Sequence, residues 1–391
     1  KENISISTSS NPRKSQEQII NQAIKFHLQG NLPEATKYYQ YCISQGCKDH
    51  RVFSNYGVIL RNLRKSQEAE LSLRKAIELN PDYANAHSNL GATLQDLGKS
   101  QEAELSLRKA IELNPDLVEA HSNLGNVLKD LGKLKEAELH TRKAIELNPH
   151  LAEAHNNLGI ILKDLGKLQE AELSTRKAIE LNSNFAIAHS NLGNVLRDLG
   201  NLEEAELSQR KAIELNPDYA DAHSNLGNTL QDLGKLQEAE LSQRKAIELN
   251  PNLVKAHSNL GNTLLDLGEL QEAELSLRKA IELNPDYANA HSNLGATLQD
   301  LGKLQEAELS FSKAIELNPN HTETSFKLSL LQLLQGDYKN GLELYESRFQ
   351  QKKVILHSNP NIQRVTNKEF QKGDQLLVVS EQGLGDTLQY M

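Results

Sequence analysis

Three rows of side chains able to do chemistry recur through the sequence, each at a spacing of 34 residues. Asn55, Asn89, Asn123, Asn157, Asn191, Asn225, Asn259 and Asn293 form the first, with Asn21 in the same register. An amide offers donors and an acceptor together, so it can bond both the N–H and the C=O of a peptide backbone. Asn126, Asn194, Asn228 and Asn262, three residues further on, extend that row. The second row is Asp96, Asp130, Asp164, Asp198, Asp232, Asp266 and Asp300. The third is His87, His121, His155, His189, His223, His257 and His291, which invites a metal reading. Spacing argues against it: packed helices lie roughly 8–10 Å apart, whereas metal–nitrogen bonds are about 2 Å. The histidines are therefore expected to be packing residues and no metal is expected. Cys42 and Cys47 are too few for a disulfide framework or a four-thiolate site.

The elements that position these rows follow from the repeat itself. ANAHSNLGATLQDLGK at Ala84 returns unchanged at Ala288, and intermediate copies begin at Val118, Ala152, Ala186, Ala220 and Val254. The register extends back to His50 and Gln16 and forward to Thr322, giving ten units over residues 16–351. Each unit reads as two helices. From Ala84, the residues Ala86, Leu90, Leu94 and Leu97 fall on one side of a first helix that Gly98 stops. A second helix runs from Ser100 to Leu113, with Ala103, Leu107, Ala110 and Ile111 as its apolar face. Glu104 and Arg108 are expected to pair on its exposed side, and Asn114–Pro115 ends it. Gly91 and Ala103 are small where the two helices must approach closely.

The unit resembles the tetratricopeptide repeat. Counting Ala84 as position 1, small residues match at positions 8, 20 and 27 (Gly91, Ala103, Ala110) and proline at position 32 (Pro115). His87 replaces the usual large aromatic at position 4, and position 24 varies from Leu107 to Thr175 to Gln209. The resemblance implies an all-α fold, a right-handed superhelical solenoid whose first helices line a concave groove. The Asn row would then face a guest. An extended peptide advances about 3.3 Å per residue, so rungs about 10 Å apart would grip every third residue with little regard for sequence. The Asp row reads as a solvated acidic face or as a preference for basic guest side chains. The asparagines read equally as structural, bonding within or between units. Family modules that hold chaperone C-termini use a lysine at position 5; Ser88, Ser122, Asn156, Ser190, Ser224, Ser258 and Ser292 stand there, so that mode is discounted.

The chain changes character after the repeats. GDYKNGLELYESRFQQKK closes the array, residues 352–372 read as a polar linker, and 375–380 as a short strand. Gly383 and Gly385 then form a turn before a helix N-terminus, where backbone N–H groups can meet an anion. An ordinary βα turn accounts for this stretch as well. In context it resembles the opening of the first domain, with its nucleotide fold, of bacterial glycosyltransferases that follow tetratricopeptide arrays, similar in plan to protein O-linked N-acetylglucosamine transferases. The resemblance rests on the GDY…G…YE.R helix from Gly336 that ends the array and on E-Q-G-L-G-D-T, residues 381–387. It implies a phosphate or sugar-nucleotide loop at Gly383 and Gly385 and a catalytic base at Asp386, with a nucleotide sugar bound only by a longer enzyme. Residues 373–391 alone are too short to form a sheet, so this stretch is not expected to be catalytic.

A net charge of −9 lacks the basic footprint of a nucleic-acid binder. No apolar run reaches the ~18 residues of a membrane span. Residues 1–15 lack a signal-peptide centre and read as a polar, disordered leader. The expectation is a cytoplasmic, cofactor-free scaffold that takes a protein or extended peptide into its groove, as the recognition arm of a glycosyltransferase. The alternative is a non-enzymatic scaffold.

Overall fold

The computed structural model describes residues 15–345, and every regular element among them is an α-helix. The chain falls into two compact units, residues 1–234 and 235–391.

In the first unit, A helices begin the repeats at Gln16–Leu28, His50–Asn62, Ala84–Asp96, Val118–Asp130, Ala152–Asp164, Ala186–Asp198 and Ala220–Asp232. Between them lie the B helices Leu32–Ser44, Ser66–Leu79, Ser100–Leu113, Leu134–Leu147, Leu168–Leu181 and Leu202–Leu215. Each of the first six A helices packs on its own B helix, and each B helix on the following A helix. The backbones of successive A helices also come close, whereas neighbouring B helices meet through long side chains, as Arg74 does Glu102 at 2.8 Å and Arg108 does Glu136 at 2.6 Å. Stacking is therefore tighter on the A side, and the B helices fan apart on the other.

Small residues allow the hairpins to close. A Cβ at Gly91 would overlap the Leu107 side chain, and one at Gly57 would stand 2.7 Å from Leu73 Cγ. Gly98 turns the chain between the helices in the left-handed region, φ +72°, where a Cβ is disfavoured. Arg64 holds the equivalent place in the His50 repeat at φ +59°. Leu73, Leu90, Leu94, Leu107, Leu124 and Ile161 belong to one buried cluster.

The second unit repeats the pattern. Its A helices are Val254–Leu267, Ala288–Asp300 and Thr322–Leu334; its B helices are Leu236–Leu249, Leu270–Leu283, Leu304–Leu317 and the shorter Tyr338–Tyr345. Leu277, Leu294, Phe311 and Leu331 centre its core, with Phe311 against Gly295.

One expectation is corrected. The Glu104–Arg108 pair forms at 2.8 Å, but Glu104 is buried rather than on an exposed face. It also accepts from Lys133 of the next repeat at 2.8 Å. The partner outside its own helix pulls the carboxylate inward, which spacing along one helix does not reveal. The expected strand at 375–380 lies outside the described residues.

Candidate functional site

The A-helix face carries the Asn and Asp rows. From Asn55 to Asn293 each asparagine of the row is half-buried, Asn21 is exposed, and each aspartate is exposed. The asparagines divide into two kinds. Asn89, Asn191 and Asn225 reach back to position 5 of the preceding repeat: Nδ2 donates to Ser54 Oγ at 3.5 Å, Asn156 Oδ1 at 2.9 Å and Ser190 Oγ at 3.0 Å. Each acceptor is buried, so these amides tie neighbouring repeats together. Asn123 and Asn157 make no such bond among the described residues. The buried Ser88 hydroxyl, which the register places opposite Asn123, has no hydrogen-bond partner. Two consecutive repeats of the first unit thus present amides with their donors and acceptor uncommitted. In the second unit Asn293 is also half-buried, and Asn259 has interactions of its own.

Six of the seven aspartates, all but Asp300, are partnered from within the chain. Asp96 accepts from Arg61 at 2.6 Å, Asp130 from Gln95 at 2.7 Å and Asp232 from Arg197 at 2.5 Å; Asp198 lies 3.6 Å from Lys163. Every one of these links runs from position 12 of one repeat to position 13 of the next. Lys163 also stands 3.9 Å from Asp164. A basic guest side chain would have to compete with these donors. Asp266 likewise has an interaction, and Asp300 is exposed.

The histidines do more than fill space. In each of the seven copies Nε2 meets the carbonyl oxygen six residues earlier, as in His87 to Pro81 at 2.8 Å and His257 to Pro251 at 3.0 Å. A carbonyl only accepts, so Nε2 carries the proton, and the ring clasps the turn that leads into its helix. His121 alone has a second ring partner, His140, with Nδ1 to Nδ1 at 3.1 Å. Burial first, and then His121, pull His140 below the ordinary histidine pKa.

Cys42 and Cys47 are free and buried. Burial, reinforced by Cys47, pushes the Cys42 thiol up to about 11, so it stays protonated and unreactive near neutrality. Among the described residues no three histidine, cysteine or acidic side chains gather to hold a metal ion, and no helix is long and apolar enough to cross a membrane. Gly383, Gly385 and Asp386 lie outside the described residues.

Sequence reading missed the position 5 acceptors and the position 12 donors. Both link side chains 35 residues apart, and their contact depends on how neighbouring A helices are staggered. The one available signal was the recurrence of Ser at position 5 and of Arg, Lys or Gln at position 12.

Comparison with known proteins bears on the same repeats. A tetratricopeptide repeat model matches residues 84–117, 118–151, 152–185, 220–253 and 288–321. A second, related repeat model matches 65–98, 193–234 and 261–302, and a third matches 243–274. No curated protein sequence matches the chain. Among solved structures, YrrB, described as a TPR protein with an unusual peptide-binding site, is 29% identical, with a TM-score of 0.37; the match covers 50% of this chain and 97% of YrrB. PilF of Pseudomonas aeruginosa is 19% identical with a TM-score of 0.46, covering 53% of this chain and 94% of PilF. The repeat models together span residues 65–185 and 193–321, more than half of the sequence, and the chain belongs to the tetratricopeptide repeat family.

Proposed function

We propose that the A-helix face of the first unit holds an extended segment of a partner protein, gripping its backbone through Asn123 and Asn157. The observation that carries this reading is the division of the Asn row. Asn89, Asn191 and Asn225 are spent on neighbouring repeats, whereas Asn123 and Asn157 keep a full set of amide donors and acceptor on a half-buried face. Asn126, one turn beyond Asn123 and also half-buried, adds a third amide. Half-burial strengthens a hydrogen bond to a guest, because water competes less there than on an open surface. The in-chain partners of the aspartates argue for backbone recognition over charge selection.

Asn123→Ala with Asn157→Ala should weaken binding of an extended peptide, selected from a peptide array, by roughly tenfold or more, at about 1 kcal/mol per lost hydrogen bond. Thermal stability should stay unchanged. Asn191→Ala with Asn225→Ala should instead lower stability, since those amides bond between repeats. Equal peptide affinity in the first variant and the parent would overturn the reading.

The finer proposal is that this scaffold serves as the recognition arm of a glycosyltransferase. It is supported by the E-Q-G-L-G-D-T resemblance at residues 381–387, where Gly383 and Gly385 would form a sugar-nucleotide loop and Asp386 a base. Sequencing the source gene past the codon for Met391 tests it. A coding sequence for alternating strands and helices is expected; a nearby stop codon would leave a scaffold without enzyme activity.

A further inference from the structure

The last described repeat departs from the others on the face that a following repeat would cover. Position 5 of the A helix is serine or asparagine in eight consecutive repeats, from Ser54 to Ser292. In the second unit Ser292 is 4% exposed and lies 2.7 Å from Thr324 of the next repeat. Position 21 of the B helix is glutamate in eight consecutive repeats, from Glu70 to Glu308. Glu274, one of these, meets Lys303 of the next repeat at 2.7 Å. Both positions therefore point forward along the stack. In the Thr322 repeat they carry Phe326 and Leu342.

Two more leucines continue the stripe from Phe326. Leu330 is one turn on and 43% exposed; Leu334 is a further turn on and 71% exposed. A Cβ at Gly341 would stand 2.8 Å from Leu333 Cγ, a closeness that brings Leu342 alongside the same stripe. Leu342 is 37% exposed, whereas the Glu274 side chain at its position is 14% exposed beneath a neighbour. A repeat array that ends in water closes with a polar outer face. Here the forward-linking positions turn apolar instead. Another copy of the same repeat would not suit them, since its position 16 lysine would find no carboxylate and its position 6 asparagine no hydroxyl.

Connectivity says which chain fits. Within each unit the face that a repeat turns forward is covered by the helix that comes next in the sequence, and this sequence continues from Glu346 to Met391. Phe326 packs against Tyr345 with ring centroids 5.5 Å apart, so the chain passes residue 345 beside one end of the stripe. From Phe326 to Leu334 the helix rises only about 12 Å. Val354, Ile355 and Leu356 are the first three consecutive apolar residues after Tyr345, and the stretch leading to them can reach about 30 Å. A tethered segment also acts at an effective concentration in the millimolar range, which favours it over a separate molecule.

We propose that residues 346–356 fold back over the last repeat and seat Val354, Ile355 and Leu356 on Leu330, Leu334 and Leu342. This contact depends neither on peptide binding in the first unit nor on any enzyme activity.

Photo-cross-linking in the full chain tests it. With p-benzoylphenylalanine placed at Leu334, an equal mixture of ordinary and nitrogen-15-labelled chains is irradiated and digested. Cross-links should run into residues 346–356, with both peptides carrying the same isotope. Products of mixed isotope would show that a second copy covers the face and would overturn the proposal. Cross-links confined to other segments, or none, overturn it too. Val354→Asp with Ile355→Asp should lower the yield into 346–356 about tenfold; an unchanged yield assigns the contact to other residues. The reciprocal variant, Leu330→Asp with Leu334→Asp, alters two exposed positions, one of which is aspartate in seven earlier repeats. It should keep its helical circular dichroism, and trypsin should cut after Lys352 and Lys353 about tenfold faster than in the parent. Equal cleavage rates in variant and parent overturn the proposal.

Discussion

Position 24 shows how one buried slot in a repeating fold tolerates different chemistry at different cost. Leu73, Leu107, Thr141, Thr175 and Gln209 all occupy it in the first unit, each wholly excluded from solvent. Thr175 returns its hydroxyl to the Ala171 carbonyl at 2.8 Å. Gln209 has no partner for either amide atom, although its Cγ fills the space beside Gly193. A buried amide without hydrogen bonds costs about 1–3 kcal/mol. Gln209→Leu, which installs the residue of two sister repeats, should therefore raise stability by about 1–2 kcal/mol in urea denaturation. A loss of stability would mean that the amide finds partners in solution. The variation at position 24 was legible in the sequence, and its burial followed from helical spacing. What the sequence could not show is that the hydroxyl at Thr175 can be satisfied by its own helix while the longer amide at Gln209 cannot.

At the scale of elements, nearly all of the fold was legible. The A helix of the Ala84 repeat ends at Asp96, just before Gly98, and its B helix spans the expected Ser100–Leu113. Among the described residues twenty helices arise from one short pattern because each repeat carries its own stop signals. The exception at Arg64 is instructive. The sequence substitutes arginine where nine later or earlier turns carry glycine in the left-handed conformation, and the structure holds Arg64 in that same conformation. A side chain there costs roughly 1–2 kcal/mol, although glycine returns part of this through its looser unfolded chain. Arg64→Gly should raise the melting temperature, and Gly98→Ala should lower it, each through about 1 kcal/mol. Opposite signs are the signature of a turn set by backbone conformation, since nothing lies within 4 Å of a Cβ at Gly98. The candidate site was less legible. The rows of Asn and Asp were plain, but which amides are spent depends on the stagger of adjacent helices, and no pattern within a single helix records it.

At the scale of the molecule, each unit is held together by links between neighbouring repeats. In the first unit Glu70 meets Lys99, Glu104 meets Lys133 and Glu138 meets Lys167; in the second Glu274 meets Lys303. The lysine of the next repeat, aided by the arginine one turn on, holds each of these carboxyls below the usual 4.5 against the opposing effect of burial. A depressed folded-state pKa contributes stability that is present above 4.5 and is lost as pH falls below it. Acid should therefore loosen the contacts between repeats, with stability falling below about pH 4.5. Glu104→Gln should remove part of that fall, measured by denaturation at successive pH values; an unchanged acid profile would exclude the link. The links between A helices have a further consequence. Where position 12 carries Arg, Lys or Gln it can reach the aspartate at position 13 of the next repeat, as Arg61 does Asp96, Gln95 does Asp130 and Arg197 does Asp232, whereas Leu265 at position 12 of the Val254 repeat offers no donor. A gene that loses or gains one whole donor-bearing copy through misaligned recombination therefore encodes a junction whose donor and acceptor can still meet. The length of that part of the array is free to drift under inheritance, while the fit of its joints is kept.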